Sequence, residues 1–137
     1  MREVIPNLLW TGNALDARNV RGVMDAGFQV VVDLAMEEPP IQLPREIIYC
    51  RFPLLDGEGN SSVILKSAVD LIVNFVHGRQ RILVACSGGM SRSPLIASAV
   101  VAKIENIDFD EAIQQVTRTG PCDISPALYV AIKKLVQ

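Results

Sequence analysis

Ile82-Leu83-Val84-Ala85-Cys86-Ser87-Gly88-Gly89-Met90-Ser91-Arg92-Ser93-Pro94-Leu95-Ile96-Ala97 decides how the rest of the chain is read. A short β-branched run, then glycines, then a long apolar segment predicts a buried strand, a tight loop and a buried helix. Such a loop turns backbone N–H groups around an anion, with the positive end of the helix dipole behind them. Cys86 falls at the strand end, where that dipole and the Arg92 guanidinium favour the nucleophilic thiolate. The planar fork of Arg92 grips two oxygens at once, which suits a phosphoryl group more than a carbonyl. Gly88 and Gly89 let the backbone curl inward, and Ser93 is placed to donate a hydrogen bond to the Cys86 sulfur when it departs as a leaving group. The stretch Ser87, Gly88, Gly89, Met90, Ser91 and Arg92 is therefore the expected anion-binding segment. A cysteine and an arginine at this spacing also meet by chance, and free cysteines are usually inert hydrophobes. The glycines, the serines either side of Arg92 and the strand-to-helix context outweigh that reading.

Outward from this loop the chain alternates strand and helix patterns. A strand is expected near Leu8 to Thr11, then one helix from about Ala14 to Ala26, capped by Asn13 and ended by Gly27. Val30 to Leu34 is a continuous apolar run, as in a strand covered on both faces. Met36 to Glu46, rich in proline, reads as a surface loop. Ile47 to Phe52 reads as a strand ended by Pro53. Ser62 is the expected cap of a helix carrying Leu65, Ala68, Leu71, Ile72, Phe75 and Val76 at helical spacing. Leu95 to Ile104 is apolar almost all round, as a central helix beneath the loop would be. Asp108 with Glu111 suggests a capping box, and Ser125-Pro126 starts the last helix. Such alternation predicts an α/β fold: one domain over residues 1–137, with a mostly parallel central sheet flanked by helices. In sheets of this kind ligands bind at the carboxyl ends of strands, where Cys86 falls.

Composition narrows the function classes. With 137 residues, half of them hydrophobic, the chain can fill one real core. A formal charge of −2 offers no basic face for nucleic acid or for an anionic membrane. No apolar stretch is long enough to span a bilayer and no signal-peptide pattern opens the chain, so a cytoplasmic protein is expected, as a monomer. Cys50, Cys86 and Cys122 are an odd, widely spaced set and do not read as a disulfide framework.

The loop resembles the Cys-x5-Arg-Ser signature of the protein tyrosine phosphatase superfamily, and Gly89, Ser91, Arg92, Ser93 and Pro94 are similar to its compact dual-specificity branch. The likeness extends to Asn7-Leu8-Leu9-Trp10-Thr11-Gly12-Asn13-Ala14, to Ala26 through Leu34, to Asp110-Glu111-Ala112 and to Ser125-Pro126-Ala127-Leu128. It implies that residues 1–137 form a dual-specificity phosphatase-like catalytic domain. Such an enzyme hydrolyses phosphotyrosine, and also phosphoserine or phosphothreonine, through a cysteinyl-phosphate, without a metal or another cofactor. Its partner is a phosphorylated protein or a small phosphomonoester. One departure is clear: the family usually has a histidine immediately before the nucleophile, and Ala85 stands there, while the single histidine is His77. A slower or differently tuned enzyme is the expected consequence.

Such chemistry needs a general acid. Asp56, in Pro53-Leu54-Leu55-Asp56-Gly57-Glu58-Gly59-Asn60, resembles the family's acid on a glycine-rich, mobile loop; Glu58 is the competing carboxylate. A turn aspartate bonded to its own backbone is the plain alternative. Three further residues invite a role that the plain reading outweighs: Cys122 as a disulfide partner of Cys86, Asp33 at a strand end, and Arg118 as a phosphate contact. Two other functions remain open. A phosphate-binding pseudophosphatase is motivated by Ala85, and a cysteine-loop sulfurtransferase or arsenate reductase would, for arsenate, need Cys50 or Cys122 beside Cys86. The loop residues Ser87, Gly88 and Met90 carry no positive charge, which disfavours polyanionic substrates.

Overall fold

The structure, a computed structural model, describes residues 1–136. Its elements are β1 (Arg2–Ile5), β2 (Leu9–Gly12), α1 (Ala14–Arg18), α2 (Val20–Asp25), β3 (Val30–Ala35), β4 (Ile48–Leu54), α3 (Ser62–His77), β5 (Ile82–Ala85), α4 (Arg92–Glu105), α5 (Phe109–Thr117) and α6 (Pro126–Val136). The sheet order is β1-β2-β5-β3-β4, with β1 antiparallel to β2 and every other pairing parallel. This is the expected α/β architecture with a mostly parallel sheet.

The central strands show why. Along β3 and β5 successive side chains point to opposite faces, and both faces are covered. Val30, Val32, Leu34, Ile82 and Val84 pack with Leu65 and Ile72 of α3 and with Leu95 and Ile96 of α4. Val31, Leu83 and Ala85 face the other way, onto Ala17 and Val23 of α1 and α2 and onto Phe28. Helix α4 is buried from Arg92 through Ala102, so it is the pillar on which the sheet and α5 and α6 rest.

The register fixes the site. Ala85 pairs with Gly12 on β2 and with Asp33 on β3, so β2 and β5 end level with each other while β3 runs on to Ala35. The connections leaving β2, β3, β4 and β5 consequently open on one edge, and Cys86 leaves from the middle of it. Asp33 spends its carboxylate on structure there, accepting from the Ala35 N–H at 3.2 Å and from the Tyr49 hydroxyl at 2.6 Å.

Several expectations need correction. The segment from Ala14 to Asp25 is two short helices, because Asn19 ends the first and its side chain accepts the Gly22 N–H at 3.0 Å to start the second. Strand β1 was not foreseen; it is four residues long with charged residues at two of them. Pro53 does not end β4, which runs to Leu54. The strand is at the sheet edge, where a missing N–H leaves no ladder bond unmade. Helix α3 is capped one residue earlier, at Ser61, whose side chain makes no capping bond. Asp108 caps α5 through the Asp110 N–H without a reciprocal bond from Glu111. The Asn13 cap is the stronger one: its side chain accepts from Asp16 N–H at 2.8 Å while Asp16 accepts from Asn13 N–H at 2.9 Å.

Candidate active site

Between β5 and α4 the chain turns through Cys86 to Ser91, and this turn is tied to its surroundings at several points. The Cys86 N–H donates to Gly12 O at 3.3 Å, and the Ala14 N–H donates to Ser87 O at 3.1 Å. Gly89 has φ +70°, and a Cβ there would lie 3.1 Å from the Gly12 carbonyl carbon and oxygen. Only glycine meets both demands without moving β2. Ser91 begins α4 without a side-chain cap, and its hydroxyl instead accepts the Ser125 N–H at 3.0 Å. The first amides of a fourteen-residue helix are thus left without a capping side chain, where an anion would be stabilised.

Cys86 is 3% exposed. Its sulfur lies 3.2 Å from Ser93 Oγ and accepts the Gly89 N–H at 3.2 Å. Ser93, fully buried, is also 3.4 Å from Gly12 O, to which it can donate. The serine and the cysteine are brought together as the spacing suggested.

Arg92 is held in a way the sequence did not disclose. Its Nη1 donates to Glu37 Oε1 at 2.6 Å and to Leu54 O at 2.9 Å, and its Nη2 donates to Glu37 Oε2 at 2.6 Å. Of the five N–H groups on a guanidinium, that leaves Nε–H and the second Nη2–H, which share one edge. Nε is buried with no partner. Arg92 is thus clamped on its end by the bidentate carboxylate, which leaves the two donors of its other edge unpartnered in a residue that lines one cavity with Cys86. The guanidinium holds the Glu37 carboxyl down to about 2, and the same pair pushes Arg92 further into its charged range.

Glu38, the next residue, accepts from Ser87 Oγ at 3.0 Å and pairs with Arg18 at 3.2 Å. The proline-rich segment read as a surface loop is therefore, at its start, part of the support of the site. The available signal was position, since the acidic pair comes one residue after the carboxyl end of a fully buried central strand.

Cys86, Gly88, Met90, Ser91 and Arg92 line a cavity of about 140 Å³ together with Asp56 and Asp123. Glu58 does not line it. The loop that carries Asp56 is closed by Asn60, whose side chain accepts the Leu55 N–H at 2.8 Å and donates to Leu55 O at 2.8 Å and Gly57 O at 3.2 Å. Asp123 was missed by sequence reading; its N–H donates to Met90 O at 2.9 Å, which sets the α5–α6 connection against the rim. Ser87 turns its hydroxyl to Glu38 instead, and Gly89 lines a neighbouring cleft of about 90 Å³.

The remaining cysteines lie elsewhere. Cys122 accepts from Arg2 at 3.5 Å, and Cys50 lies on β4, where burial pushes its thiol up. All three cysteines are free. Arg118 is exposed at the end of α5. Among the described residues no helix is long and apolar enough to cross a membrane.

The sequence profile of the dual specificity phosphatase catalytic domain matches residues 9–130. The human dual specificity protein phosphatase 15 is 26% identical over 122 residues, a match that takes in 86% of this chain but 39% of that protein, so the chain spans about two fifths of its relative. Among solved structures, human DUSP28 superposes with a TM-score of 0.87 at 22% identity, over 99% of this chain and 95% of the other. The human tyrosine phosphatase-like serine/threonine/tyrosine-interacting protein gives 0.83 at 15% identity, over 98% and 94%. At these identities the structural matches speak for the fold.

Proposed function

As the chain belongs to the dual specificity phosphatase family, we propose that it hydrolyses phosphate monoesters, phosphotyrosine and phosphoserine or phosphothreonine alike, with Cys86 as the nucleophile. The observation that carries this is one cavity lined by Cys86, Asp56 and an Arg92 whose Nε–H and second Nη2–H are unpartnered.

In the first step the Cys86 thiolate attacks phosphorus in line, the ester P–O bond breaks and the Asp56 carboxyl proton passes to the leaving oxygen. The open edge of Arg92 and the loop amides hold the equatorial oxygens as charge shifts onto them. In the second step water attacks the cysteinyl-phosphate, its proton goes to the Asp56 carboxylate, and the S–P bond breaks. Ser93 then donates to the departing sulfur, from the 3.2 Å separation already present. Residues 1–137 act as one catalytic domain on a phosphorylated protein or small phosphomonoester. The small cavity of about 140 Å³ supports a pocket that does not select for a tyrosine ring.

The reading is tested by the hydrolysis of para-nitrophenyl phosphate against pH, under reducing conditions, for the wild type, Cys86→Ser, Asp56→Asn and Glu58→Gln. Turnover is expected to vanish with the first change, to fall with its basic limb flattened by the second, and to persist with the third. A folded wild type that binds vanadate but never turns over would sink the enzyme in favour of a phosphate-binding module. Dependence on an added thiol with arsenate as acceptor would favour a reductase.

A further inference from the structure

Beside the catalytic cavity lies a second cleft of about 90 Å³, lined by Met1, Arg2, Thr11, Gly12, Asn13, Asp16, Gly88 and Gly89, so that two residues of the Cys86 loop form its wall. Arg2 is the notable member. It is half-buried, and among the described residues no carboxylate pairs with it. Its Nη1 donates to Cys122 Sγ and its Nη2 to Met90 Sδ, each at 3.5 Å. Sulfur is a weak acceptor, so this half-buried guanidinium has most of its hydrogen-bonding capacity unspent by the protein. The side chain is nevertheless held in place: a Cβ on Gly120 would lie 2.8 to 3.0 Å from Arg2 Nε, Cζ and Cδ. The absence of a side chain at residue 120 is what gives the guanidinium its seat. Met90, which it touches, also lines the catalytic cavity.

We infer that Arg2 is a substrate-binding residue for a second anionic group, a phosphate or a carboxylate, carried by the substrate a short distance from the phosphate that enters the Cys86 cavity. This rests on the phosphatase reading and adds a preference to it: phosphorylated segments flanked by acidic or further phosphorylated residues. Both chemistries present the paired oxygens that a guanidinium fork takes up. Two carboxylates nearby define where the anion sits. Asp16 also lines the cleft and is engaged by the Asn13 N–H at 2.9 Å and the Met1 amine at 3.4 Å. Asp123 stands on the catalytic rim. The anion therefore lies over Arg2 and Gly88-Gly89, between them. Arg2 supplies the positive charge that the loop side chains lack.

Binding to Cys86→Ser protein tests this without requiring turnover. Fluorescence anisotropy would compare one phosphotyrosine peptide with alanine flanks, versions with two glutamates on the amino or the carboxyl side, and a version with a neighbouring phosphoserine. At low salt at least one acidic flank is expected to tighten binding by about three- to tenfold. That gain should shrink to about one in Arg2→Ala. It should also shrink in Gly120→Ala, which keeps the charge and folds around a displaced side chain. Gains of equal size in all three proteins, or no gain in any, would overturn the inference. Wild-type turnover of para-nitrophenyl phosphate, measured alongside, judges the phosphatase reading separately. The glutamate and phosphoserine arms tell carboxylate from phosphate.

Discussion

Glu37 is the residue on which the electrostatics of the site turn. Its carboxylate is 55% exposed while Arg92 is 4% exposed, so the pair sits at the boundary between water and the interior. Removing the carboxylate leaves a buried cation with one backbone carbonyl, a costly state that the side chain escapes by rotating. Glu37→Gln is expected to lower kcat by about ten- to a hundredfold and to weaken vanadate binding, since the free edge would no longer be aimed. Unchanged kinetics would contradict the clamp. The pair also has a pH signature. Glu37 is held to about 2 from an ordinary 4.5, so its contribution to stability is full above 4.5 and is lost as pH falls towards 2. Acid unfolding of Glu37→Gln, followed by circular dichroism, should lack that part of the decline. The grouping of Cys86, Arg92, Ser93 and Asp56 as one candidate site was legible in the sequence because each is within, or on a short loop before, a local pattern. Glu37 and Asp123 were not, because their roles depend on which strand lies next to which.

The elements explain both the precision of the loop and its vulnerability. Gly89→Ala adds a Cβ at φ +70° and 3.1 Å from Gly12, so it should cost about 1–3 kcal/mol and most of the activity. Thermal unfolding and hydrolysis rates check this, and a stable, active variant would show that the loop does not lean on β2. Asn60→Ala releases the three bonds that close the Asp56 loop, and is expected to reduce kcat severalfold with little change in melting temperature. Ala85 answers the missing histidine. It is 1% exposed and packed with Ala17, Val23, Val31 and Leu83, so an imidazole at this position overfills that layer. Ala85→His should therefore destabilise by about 1–3 kcal/mol without raising the rate. A faster, equally stable variant would contradict this. Strand and helix periodicities were readable for β3, α3, β5 and α4, whose apolar patterns are long or continuous. The four-residue β1, the break at Asn19 and the passage of β4 through Pro53 were not readable. Each is decided by a partner strand or a cap and not by the local pattern.

One domain built around α4 accounts for the arrangement of the site. Leu95 and Ile96 are fully buried one turn beyond Arg92, so the helix that aims the arginine is also the centre of the core. Leu95→Ala should cost about 2–5 kcal/mol and lose activity in proportion to unfolding, not ahead of it. The α/β class followed from alternation alone, and the location of the site followed from the rule that such sheets bind at the carboxyl ends of their strands. The level ending of β2 and β5, with β3 parallel beside them, brings the connections together there, and only the register shows it.

The central claim is that phosphate passes through the Cys86 sulfur. Rapid acid quenching of the wild type during turnover of para-nitrophenyl phosphate, followed by peptide mass analysis, measures it directly. The account predicts one phosphoryl group on the peptide that carries Cys86, absent from Cys86→Ser and accumulating in Asp56→Asn with this activated leaving group. Steady release of phosphate with no such adduct, or turnover by Cys86→Ser at the wild-type rate, would contradict it.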